Sequence, residues 1–389
     1  MDAFDFDGII DRYNTASLKW DGMGKVTDVL SKDALALWVA DMDFMPPPAV
    51  AQVFEQFSKN MVPGYYYDSI GCHKAIAHWQ AEQHGWQVDP DWIVATHGCV
   101  AALSTLIAAF CDIGDKVIIQ TPVYHKFRDI VLSNDCQLAD APLILDGKRY
   151  VMDFDALARH KDAKAMILCS PHNPGGRVWT RSELMQLLTF CLSNDILLIS
   201  DEIHADLILG NAQHTPCATL SCEAEEKIVT VTAASKTFNL AGGMFGVMIT
   251  KNPQLRARIK KQLFKTGTYM VNLFGPLMTT AAYSEGAPWL EALRGYLRGN
   301  FALIEEFSAR IPGLWSMPLD ATYLAWLNFR ETNLSPSEVQ RRLSQETRLA
   351  LSKGEDFGTD GGANFMRLNF ATPRARLQEA LERLEKAFS

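Results

Sequence analysis

Four short polar clusters carry the residue types that a catalytic site needs, and each follows an apolar run. The clusters read "TPVYHKF", "SPHNPGGR", "SDEIHADL" and "AASKTFN". In that order they supply an aromatic ring (Tyr124), an amide (Asn173), a carboxylate (Asp201) and an amine (Lys236). Lys236 is the most informative, because lysine is rarely buried and here it lies in a small, nearly uncharged segment, "VTAASKTFNLAGG". This combination indicates chemistry on a bound organic group.

Motifs for other cofactors are absent from the sequence. No G-x-x-x-x-G-K-[ST] is present, and no G-x-G-x-x-G follows a strand. The H-E-x-x-H spacing is missing, and the carboxylates near His204 and His214 fit no standard zinc site. The glycines of "GGMFG" indicate close backbone packing instead of a phosphate loop. We therefore expect no metal in the site.

Pyridoxal phosphate requires several groups at once, and the four clusters contain them. An amine must form a Schiff base, and an acid must keep the pyridine nitrogen protonated. Lys236 fits the first role and Asp201 the second. Asn173 and His204 fit contacts to the ring hydroxyl, and Tyr124 fits a ring that stacks on the cofactor. Taken singly, each residue has an ordinary structural explanation, such as a surface lysine, a helix cap or a turn. The combination favours the cofactor.

The cofactor's phosphate also has a candidate site in the sequence. In "THGCVAAL", Gly98 comes just before a predicted helix. The amides of Cys99 and Val100 would then belong to the first turn, where unpaired N–H groups bind anions. We expect these three residues to hold the phosphate.

The elements around these clusters predict an α/β fold. "DKVIIQTP", "AKAMILCSPHNP", "ILLISDEIH" and "KIVTVTAAS" read as buried strands. "CVAALSTLIAAF" reads as a helix, as does "TRSELMQLLTFCLSND", where Thr180 and Glu183 have capping-box spacing. Apolar strands separated by helices favour a mainly parallel sheet that is covered by helices on both faces. Ligands bind beyond the carboxyl ends of such strands, so the polar clusters should converge there.

The domain organisation predicted from the pattern has a large and a small part. Residues 46–284 form the large cofactor-binding domain. Residues 1–45 and 285–389 form an N-terminal segment and a smaller α+β domain, with helices such as "WLEALRGYLRGNFALIEEF" and strands such as "ATYLAWLNF". The length of 389 residues suits this division.

Composition excludes several classes of partner. The formal net charge of −8 argues against nucleic acid, which requires a basic face. The longest apolar stretch, "VAALSTLIAAF", is too short to cross a membrane. The eight cysteines form no C-x-x-C pair and lie mostly in apolar surroundings, so we expect core packing. With an acidic start, "MDAFDFDGII", these features predict a cytoplasmic protein.

The motifs resemble those of the fold-type I pyridoxal-phosphate enzymes, the aspartate aminotransferase superfamily. More narrowly, they resemble the cystathionine β-lyase (C–S lyase) branch, which is related to maltose-regulon modulators. The resemblance covers nearly the whole chain. Its most specific motifs are "SPHNPGGRVWT", "SDEIHADL" and "ASKTFNLAG", accompanied by "SLKWD", "LWVADMDF", "GYYYD", "ATYLAWLNF" and "FMRLNFATPR".

The resemblance implies roles for further residues. Arg367, in "FMRLNF", matches the arginine that clamps the substrate's α-carboxylate. Ser235 matches a donor to the phosphate. Tyr65, in "GYYYD", matches a tyrosine that reaches the phosphate from the neighbouring subunit, with Tyr66 and Tyr67 as alternatives. That role implies a homodimer with composite active sites.

Departures from the wider superfamily are also visible. Met244 occupies a position where many aminotransferases have a phosphate-binding arginine. His204 occupies a position that is often tyrosine, as in the C–S lyase branch. Asp320 and Ala321 replace the Glu-Gly that is usual in "ATYLAW"-type turns of the branch.

The implied activity is β-elimination from L-cystathionine or related cysteine S-conjugates, which releases a thiol, pyruvate and ammonia. Lys236 would be the base for the Cα proton, with Asp201 and Tyr124 beside it as catalytic residues. Two alternatives stay open. One is an aminotransferase that uses the same residues. The other is a regulatory binding protein that acts on a transcription factor.

Overall fold

Apolar strands alternate with helices in the computed structural model, which describes residues 4–27, 29, 33–60, 62–68 and 71–389. The strands are β1 (Leu35–Ala36), β2 (Ile93–Thr96), β3 (Lys116–Ile119), β4 (Gln137–Asp140), β5 (Ile144–Asp146), β6 (Arg149–Val151), β7 (Ala165–Cys169), β8 (Leu197–Asp201), β9 (Ile228–Thr232), β10 (Gly246–Ile249), β11 (Trp315–Ser316), β12 (Leu324–Asn328), β13 (Leu349–Ala350), β14 (Ser352–Lys353) and β15 (Phe365–Asn369). The α-helices are α1 (Met23–Val26), α2 (Pro48–Ser58), α3 (Cys72–His84), α4 (Cys99–Phe110), α5 (Lys126–Ser133), α6 (Phe154–Ala158), α7 (Arg181–Ser193), α8 (Cys222–Lys227), α9 (Ala234–Thr237), α10 (Pro253–Thr266), α11 (Phe274–Glu285), α12 (Ala287–Ser308), α13 (Pro336–Arg341), α14 (Thr359–Gly362) and α15 (Arg374–Phe388). Within the described ranges, none of these helices is long and apolar enough to cross a membrane.

The large sheet has the strand order β2–β10–β9–β8–β7–β3–β4. The strands from β9 to β4 are parallel to one another, whereas β10 is antiparallel to both β9 and β2. The predicted parallel arrangement is therefore confirmed for the part of the sheet that carries the polar clusters. Because these strands are parallel, their carboxyl ends share one edge of the sheet.

Both faces of this sheet are covered, which explains why its strands are apolar throughout. Met166 of β7 and Leu198 of β8 pack with α7 on one face. Ile167 and Ile199 point to the other face, where they pack with α4, α5 and α10. Neighbouring residues of a strand thus enter different cores, as expected for a buried sheet. The predicted α/β class is confirmed.

Helix α7 begins with the capping box that the sequence predicts. The Thr180 hydroxyl accepts the Glu183 amide, and the Glu183 carboxylate accepts the Thr180 amide. This cap fixes the point where the chain leaves the "SPHNPGGR" loop and enters the helix.

A smaller antiparallel sheet with the order β11–β12–β15–β14 forms the α+β part of the chain. In its register, Arg367 of β15 lies between Trp326 of β12 and Ser352 of β14. Helices α12 and α15 pack on this region through apolar residues such as Leu297 and Leu381. Arg367 is therefore held in the middle of a short, well-supported sheet.

The N-terminal segment joins this smaller part by strand pairing. Strand β1 pairs in parallel with β13, with Leu35 opposite Leu349. The pairing agrees with the grouping of residues 1–45 with residues 285–389. One apolar cluster, however, contains residues from both groups and from 46–284, so the proposed boundaries at 46 and 284 stay a prediction.

Candidate active site

A cavity of about 700 Å³ opens at the carboxyl ends of the parallel strands. It is lined by nearly all the residues that the sequence singles out: Gly98, Cys99, Val100, Tyr124, Asn173, Asp201, His204, Ser235, Lys236 and Arg367. The structure therefore brings these side chains together. Its volume is in the usual range for a site that binds a cofactor and a small substrate.

Lys236 enters the cavity from the short helix α9, directly after strand β9. Its Nζ donates a hydrogen bond to the carbonyl oxygen of Ala40 at 2.6 Å. Removal from water lowers the pKa of Lys236 below its usual value, and the positive charge of Arg367 contributes in the same direction. A larger fraction of the amine is therefore neutral near pH 7, as a nucleophile or a base requires.

Asp201 ends strand β8 and is almost fully buried. One carboxylate oxygen accepts the Ile203 amide at 3.2 Å. Burial raises the pKa of Asp201 from 3.8 to about 7, and the charge of Glu202 adds to the effect. Few groups offset the burial of this carboxylate, so it is suited to a cationic partner, such as a protonated ring nitrogen.

His204 and Asn173 face the same cavity from two loops. Both side chains are buried, and burial lowers the pKa of His204 to about 3, so its imidazole is neutral. The His204 Nδ1 atom is buried and has no hydrogen-bond partner among the described residues. A buried polar atom of this kind is expected to have a partner, and the cavity supplies space for one.

Tyr124 supplies an aromatic ring to the cavity wall. Burial raises the pKa of its phenol, so the hydroxyl stays protonated at neutral pH. The ring lies 4.9 Å from that of His125 in an edge-on arrangement. An aromatic face at this place can cover a planar cofactor.

The start of helix α4 has the geometry that the predicted phosphate site requires. Gly98 precedes the helix with a φ of +92°, a conformation that favours glycine. A Cβ at Gly98 would meet no atom within 4 Å, so the backbone here borders open space. The first-turn amides of Cys99 and Val100 point to this end of the helix, where the helix dipole also favours an anion.

A second glycine keeps this helix start accessible. A Cβ on Gly246 would lie 3.2 Å from the Cα of Gly98 and 3.3 Å from the Cys99 nitrogen. Strand β10 therefore packs its backbone directly against the turn before α4. The close packing that "GGMFG" suggested is present at this glycine.

Arg367 is buried, and its hydrogen-bond partners among the described residues are all uncharged. Its guanidinium donates to Asn173 Oδ1 at 3.1 Å, to the Trp38 carbonyl at 2.9 Å and to Ser352 Oγ at 3.2 Å. Its Nε has no partner among the described residues. Burial lowers the pKa of Arg367 to about 10, which still leaves it charged at neutral pH. The negative charge of Asp356 opposes this shift only in part, and no salt bridge joins the two side chains among the described residues. A buried guanidinium of this kind is suited to a carboxylate ligand.

Tyr65 is the one predicted site residue that does not line the cavity. Its side chain is 91% exposed, and that of Tyr67 is 82% exposed. Tyr66, by contrast, is partly buried and donates to Asp68 at 2.9 Å. Within one chain the structure does not bring Tyr65 to the other site residues.

Several groups in the site were not found from the sequence. The carbonyls of Trp38 and Ala40 and the hydroxyl of Ser352 contact Arg367 or Lys236. Phe357 lies under the Arg367 guanidinium at 4.8 Å. Backbone carbonyls leave no mark in a sequence, because every residue has one.

The groups present fit pyridoxal phosphate. The cavity offers an amine, a buried carboxylate, an imidazole nitrogen that has no partner among the described residues, an aromatic ring and the first-turn amides of a helix. Each group meets one of the requirements of this cofactor.

Residues 32–384 match the family model "Aminotransferase class I and II", and the chain belongs to that family. Among curated relatives, the cystathionine beta-lyase PatB of Bacillus subtilis is 38% identical over 388 residues, which cover 99% of this chain and 100% of PatB.

Two solved structures are very similar in fold. A putative aminotransferase from Clostridium difficile, bound to pyridoxal phosphate, has a TM-score of 0.96 at 34% identity, with 99% and 100% of the two chains covered. Cystalysin from Treponema denticola, which contains pyridoxal 5'-phosphate, has a TM-score of 0.95 at 33% identity, with 99% and 98% covered. The chain therefore has the type I fold of pyridoxal-phosphate enzymes.

Proposed function

We propose that this protein is a pyridoxal-phosphate-dependent carbon–sulfur β-lyase that acts on L-cystathionine or related cysteine S-conjugates. The observation that carries the proposal is that one cavity contains a lysine whose pKa is lowered and a buried arginine whose hydrogen-bond partners among the described residues are uncharged. The 38% identity to a cystathionine beta-lyase over the whole chain supports the choice of reaction. Structures of similar fold that carry the cofactor support the choice of cofactor.

In this proposal the residues of the cavity divide the binding of the cofactor among them. Lys236 holds it covalently, and the Asp201 carboxylate pairs with the ring nitrogen. His204 and Asn173 face the ring hydroxyl, and Tyr124 covers the ring. The amides of Cys99 and Val100, the backbone at Gly98 and the Ser235 hydroxyl hold the phosphate.

Arg367 binds the substrate, and Lys236 deprotonates it. Arg367 binds the α-carboxylate and so fixes the orientation of Cα. Lys236, once its amine is free, removes the proton from Cα, and its lowered pKa makes the neutral amine available. The cofactor supplies an electron sink for the electrons left on Cα. The thiolate then leaves from Cβ, and water completes the reaction to a thiol, pyruvate and ammonia.

Release of pyruvate from L-cystathionine, with no keto acid added, tests this function. A β-lyase produces pyruvate and free thiol in equal amounts, whereas Lys236→Ala produces neither. An aminotransferase, the alternative favoured by the family match and by one similar structure, consumes amino acid only when a keto acid is supplied and releases no thiol. Keto-acid dependence without thiol release would overturn the lyase assignment.

A homodimer with composite sites is part of the proposal. Large apolar side chains are exposed in the segments 54–67 and 244–270, including Phe54, Val62, Tyr65, Met244 and Tyr269. Met244 also lines the cavity, so this exposed surface reaches the site. Burial of such a surface by a second copy would place Tyr65 near the phosphate site of its partner.

We also place the protein in the cytoplasm. All eight cysteines are free, and six of them are buried, as expected for a reducing compartment. Regulation of a transcription factor has no specific support in the described surface and stays an alternative.

A further inference from the structure

Behind the proposed catalytic residues lies a buried cluster of charged and aromatic side chains that the proposed function does not use. Its centre is Asp206, whose side chain is only 7% exposed. Burial of a carboxylate requires compensation by hydrogen bonds or charge. The partners of Asp206 therefore show which elements the cluster holds together.

Asp206 is bonded to two elements of the fold through its carboxylate oxygens and to a third through its backbone carbonyl. Oδ1 accepts Trp79 Nε1 at 3.0 Å and contacts His84 Nε2 at 2.8 Å, both from α3. Oδ2 accepts the Thr237 hydroxyl at 2.7 Å. The Asp206 carbonyl accepts Arg294 Nε of α12 at 2.8 Å. Asp206 is thus fixed to two long helices and holds α9 through a single hydroxyl.

That hydroxyl belongs to the residue after Lys236. Thr237 ends helix α9, which has only four residues, so the helix has little intrinsic stability of its own. Asp206, in turn, follows His204 by two residues and Asp201 by five on the same loop. The hydrogen bond from Thr237 to Asp206 therefore joins the segment with the amine to the segment with the two groups that face the cofactor ring.

A second buried pair supports the same loop from the other side. Glu202 accepts the Ser200 hydroxyl at 2.8 Å and the Cys217 amide at 2.9 Å, and its other oxygen lies 3.2 Å from His214 Nε2. The rings of His214 and His84 meet edge-on with centroids 5.4 Å apart. Among the described residues this pair makes no hydrogen bond or salt bridge to α9, so Asp206 is the member of the cluster that is bonded to the residue after Lys236.

From these contacts we infer that Asp206, through Thr237, is a positioning residue that sets where the Lys236 amine lies relative to Asp201 and His204. Its effect is on orientation, and it touches neither substrate nor cofactor. The expected effect on kcat rests on the proposed function. The expected effect on the orientation of the lysine-bound cofactor requires only that the cofactor binds.

The test compares Thr237→Val, which removes the hydroxyl with almost no change of shape, with Thr237→Ser, which retains it. Thr332→Val is the control, because the Thr332 hydroxyl donates to the Phe329 carbonyl at 2.7 Å and neither residue lines the cavity. Each cofactor-loaded variant is assayed for kcat and KM, for visible circular dichroism per bound cofactor and for its thermal unfolding midpoint.

The expected result for Thr237→Val is a kcat that falls about fivefold or more with KM within about twofold, as the loss of one hydrogen bond predicts. Its circular dichroism per bound cofactor should fall as well, and Thr237→Ser should recover both signals. Thr332→Val should lower only the unfolding midpoint.

If Thr237→Val lowers only the unfolding midpoint, as the control does, Asp206 is merely structural and the inference is wrong. If the wild-type protein binds the cofactor but lacks lyase activity, the proposed function fails, and the circular dichroism of the three variants still decides the positioning role.

Discussion

Two charged side chains in this site are buried at a cost to the stability of the ligand-free protein. Among the described residues, the Asp201 carboxylate accepts one amide, and Arg367 donates only to uncharged groups. Neither charge has a salt-bridge partner in this part of the chain, so a ligand can neutralise each of them. Such groups tend to mark functional sites, because burial without compensation destabilises the ligand-free protein.

The role of Arg367 can be tested with Arg367→Lys and Arg367→Ala. Hydrogen bonds to a charged group contribute about 1.5–3 kcal/mol, so we expect the KM for amino-acid substrates to rise about 10- to 100-fold in Arg367→Ala. Arg367→Lys retains the charge but loses the paired geometry and should recover only part of the affinity. Steady-state kinetics measures both effects.

An amine analogue without a carboxylate makes this test specific. Its affinity should be the same for the wild type and Arg367→Ala, and the exposed Arg298→Ala should behave as the wild type throughout. Equal losses of affinity for the amino acid and for the analogue would contradict a carboxylate-binding role.

Asp201→Asn should make the cofactor-free protein more stable and the cofactor-loaded enzyme less active. The pKa of Asp201 is raised in the folded protein to about 7 from its usual 3.8, so this group destabilises the fold progressively as pH rises from about 4 to about 7. Asn removes that effect, and the cofactor-free variant should unfold at a higher temperature than the wild type at about pH 8, with a smaller difference at about pH 5.

Turnover should change in the opposite direction, because Asn cannot stabilise a protonated ring nitrogen. We expect a loss of about 10²–10³-fold in kcat. Thermal unfolding at the two pH values and a kinetic assay of the loaded enzyme measure the two effects. A variant that is less stable than the wild type at about pH 8 would show that the Asp201 carboxylate is compensated after all.

Side-chain roles in this site were accessible from sequence because each follows a recognisable strand. Lys236, Asp201 and Asn173 come directly after β9, β8 and β7, and parallel strands bring their carboxyl ends together. Arg367 could be assigned only through the family resemblance, because it lies in the small sheet and no local pattern connects it with the other three. The carbonyls of Trp38 and Ala40 were beyond sequence reasoning, since they depend on how a distant segment crosses the cavity.

At the scale of elements, the N-terminal segment is held in place by a buried ion pair. Lys19 is fully buried and donates to Asp43 at 3.0 Å and to the Asp41 carbonyl at 3.1 Å. Burial alone would raise the pKa of Asp43, but the charge of Lys19 and hydrogen bonds from Trp20 and Arg12 lower it to about 2. The anchored segment carries the Ala40 carbonyl that accepts Lys236 Nζ, so its position matters to the site.

Lys19→Met should loosen this segment. The substitution leaves Asp43 buried without its main counter-charge, and loss of one partner of a buried pair destabilises a protein by about 3–5 kcal/mol. Urea unfolding should show this loss, and limited proteolysis should cut the N-terminal segment sooner. Lys25→Met, at an exposed position of the same segment, is the control and should change neither. Equal stability of the two variants would mean that Lys19 does not anchor the segment.

The order of elements was predictable from sequence, but the direction of one strand was not. The strands β3, β7, β8 and β9 and their helices follow from apolar runs and capping residues. Strand β10 has the same apolar character, yet it is antiparallel. Strand direction depends on the connection, and the chain between β9 and β10 contains the short helix α9 and the "GGMFG" turn instead of a long crossover helix.

At the scale of the whole molecule, the position of Tyr65 bears on assembly. A tyrosine that is 91% exposed contributes little to its own chain, and the phosphate role proposed for Tyr65 would require a second subunit. The domain boundaries do not affect this argument, because Tyr65 lies on the loop that precedes α3.

Mixed dimers test the composite site. Lys236→Ala and Tyr65→Ala are each inactive in this proposal, but a hybrid contains one site with an intact lysine and a tyrosine from its partner. After equal amounts are dissociated and reassembled, half the dimers are hybrids with one of two sites intact. We therefore expect about a quarter of wild-type activity.

Tyr67→Ala, equally exposed, is the control in the same mixing experiment and should be active by itself. No recovery from the Lys236→Ala and Tyr65→Ala mixture, with hybrids verified by mass, would place Tyr65 outside the site of the partner.

The contact between Gly98 and Gly246 has a consequence for how this family can evolve. A side chain at Gly246 would press on Gly98 and Cys99, which are nearly 150 residues earlier in the chain. The two positions should therefore change together among relatives. In lineages that bind the phosphate at the start of α4, as proposed for this protein, both should stay glycine. In lineages that bind the phosphate elsewhere, position 246 should accept alanine or serine before position 98 does.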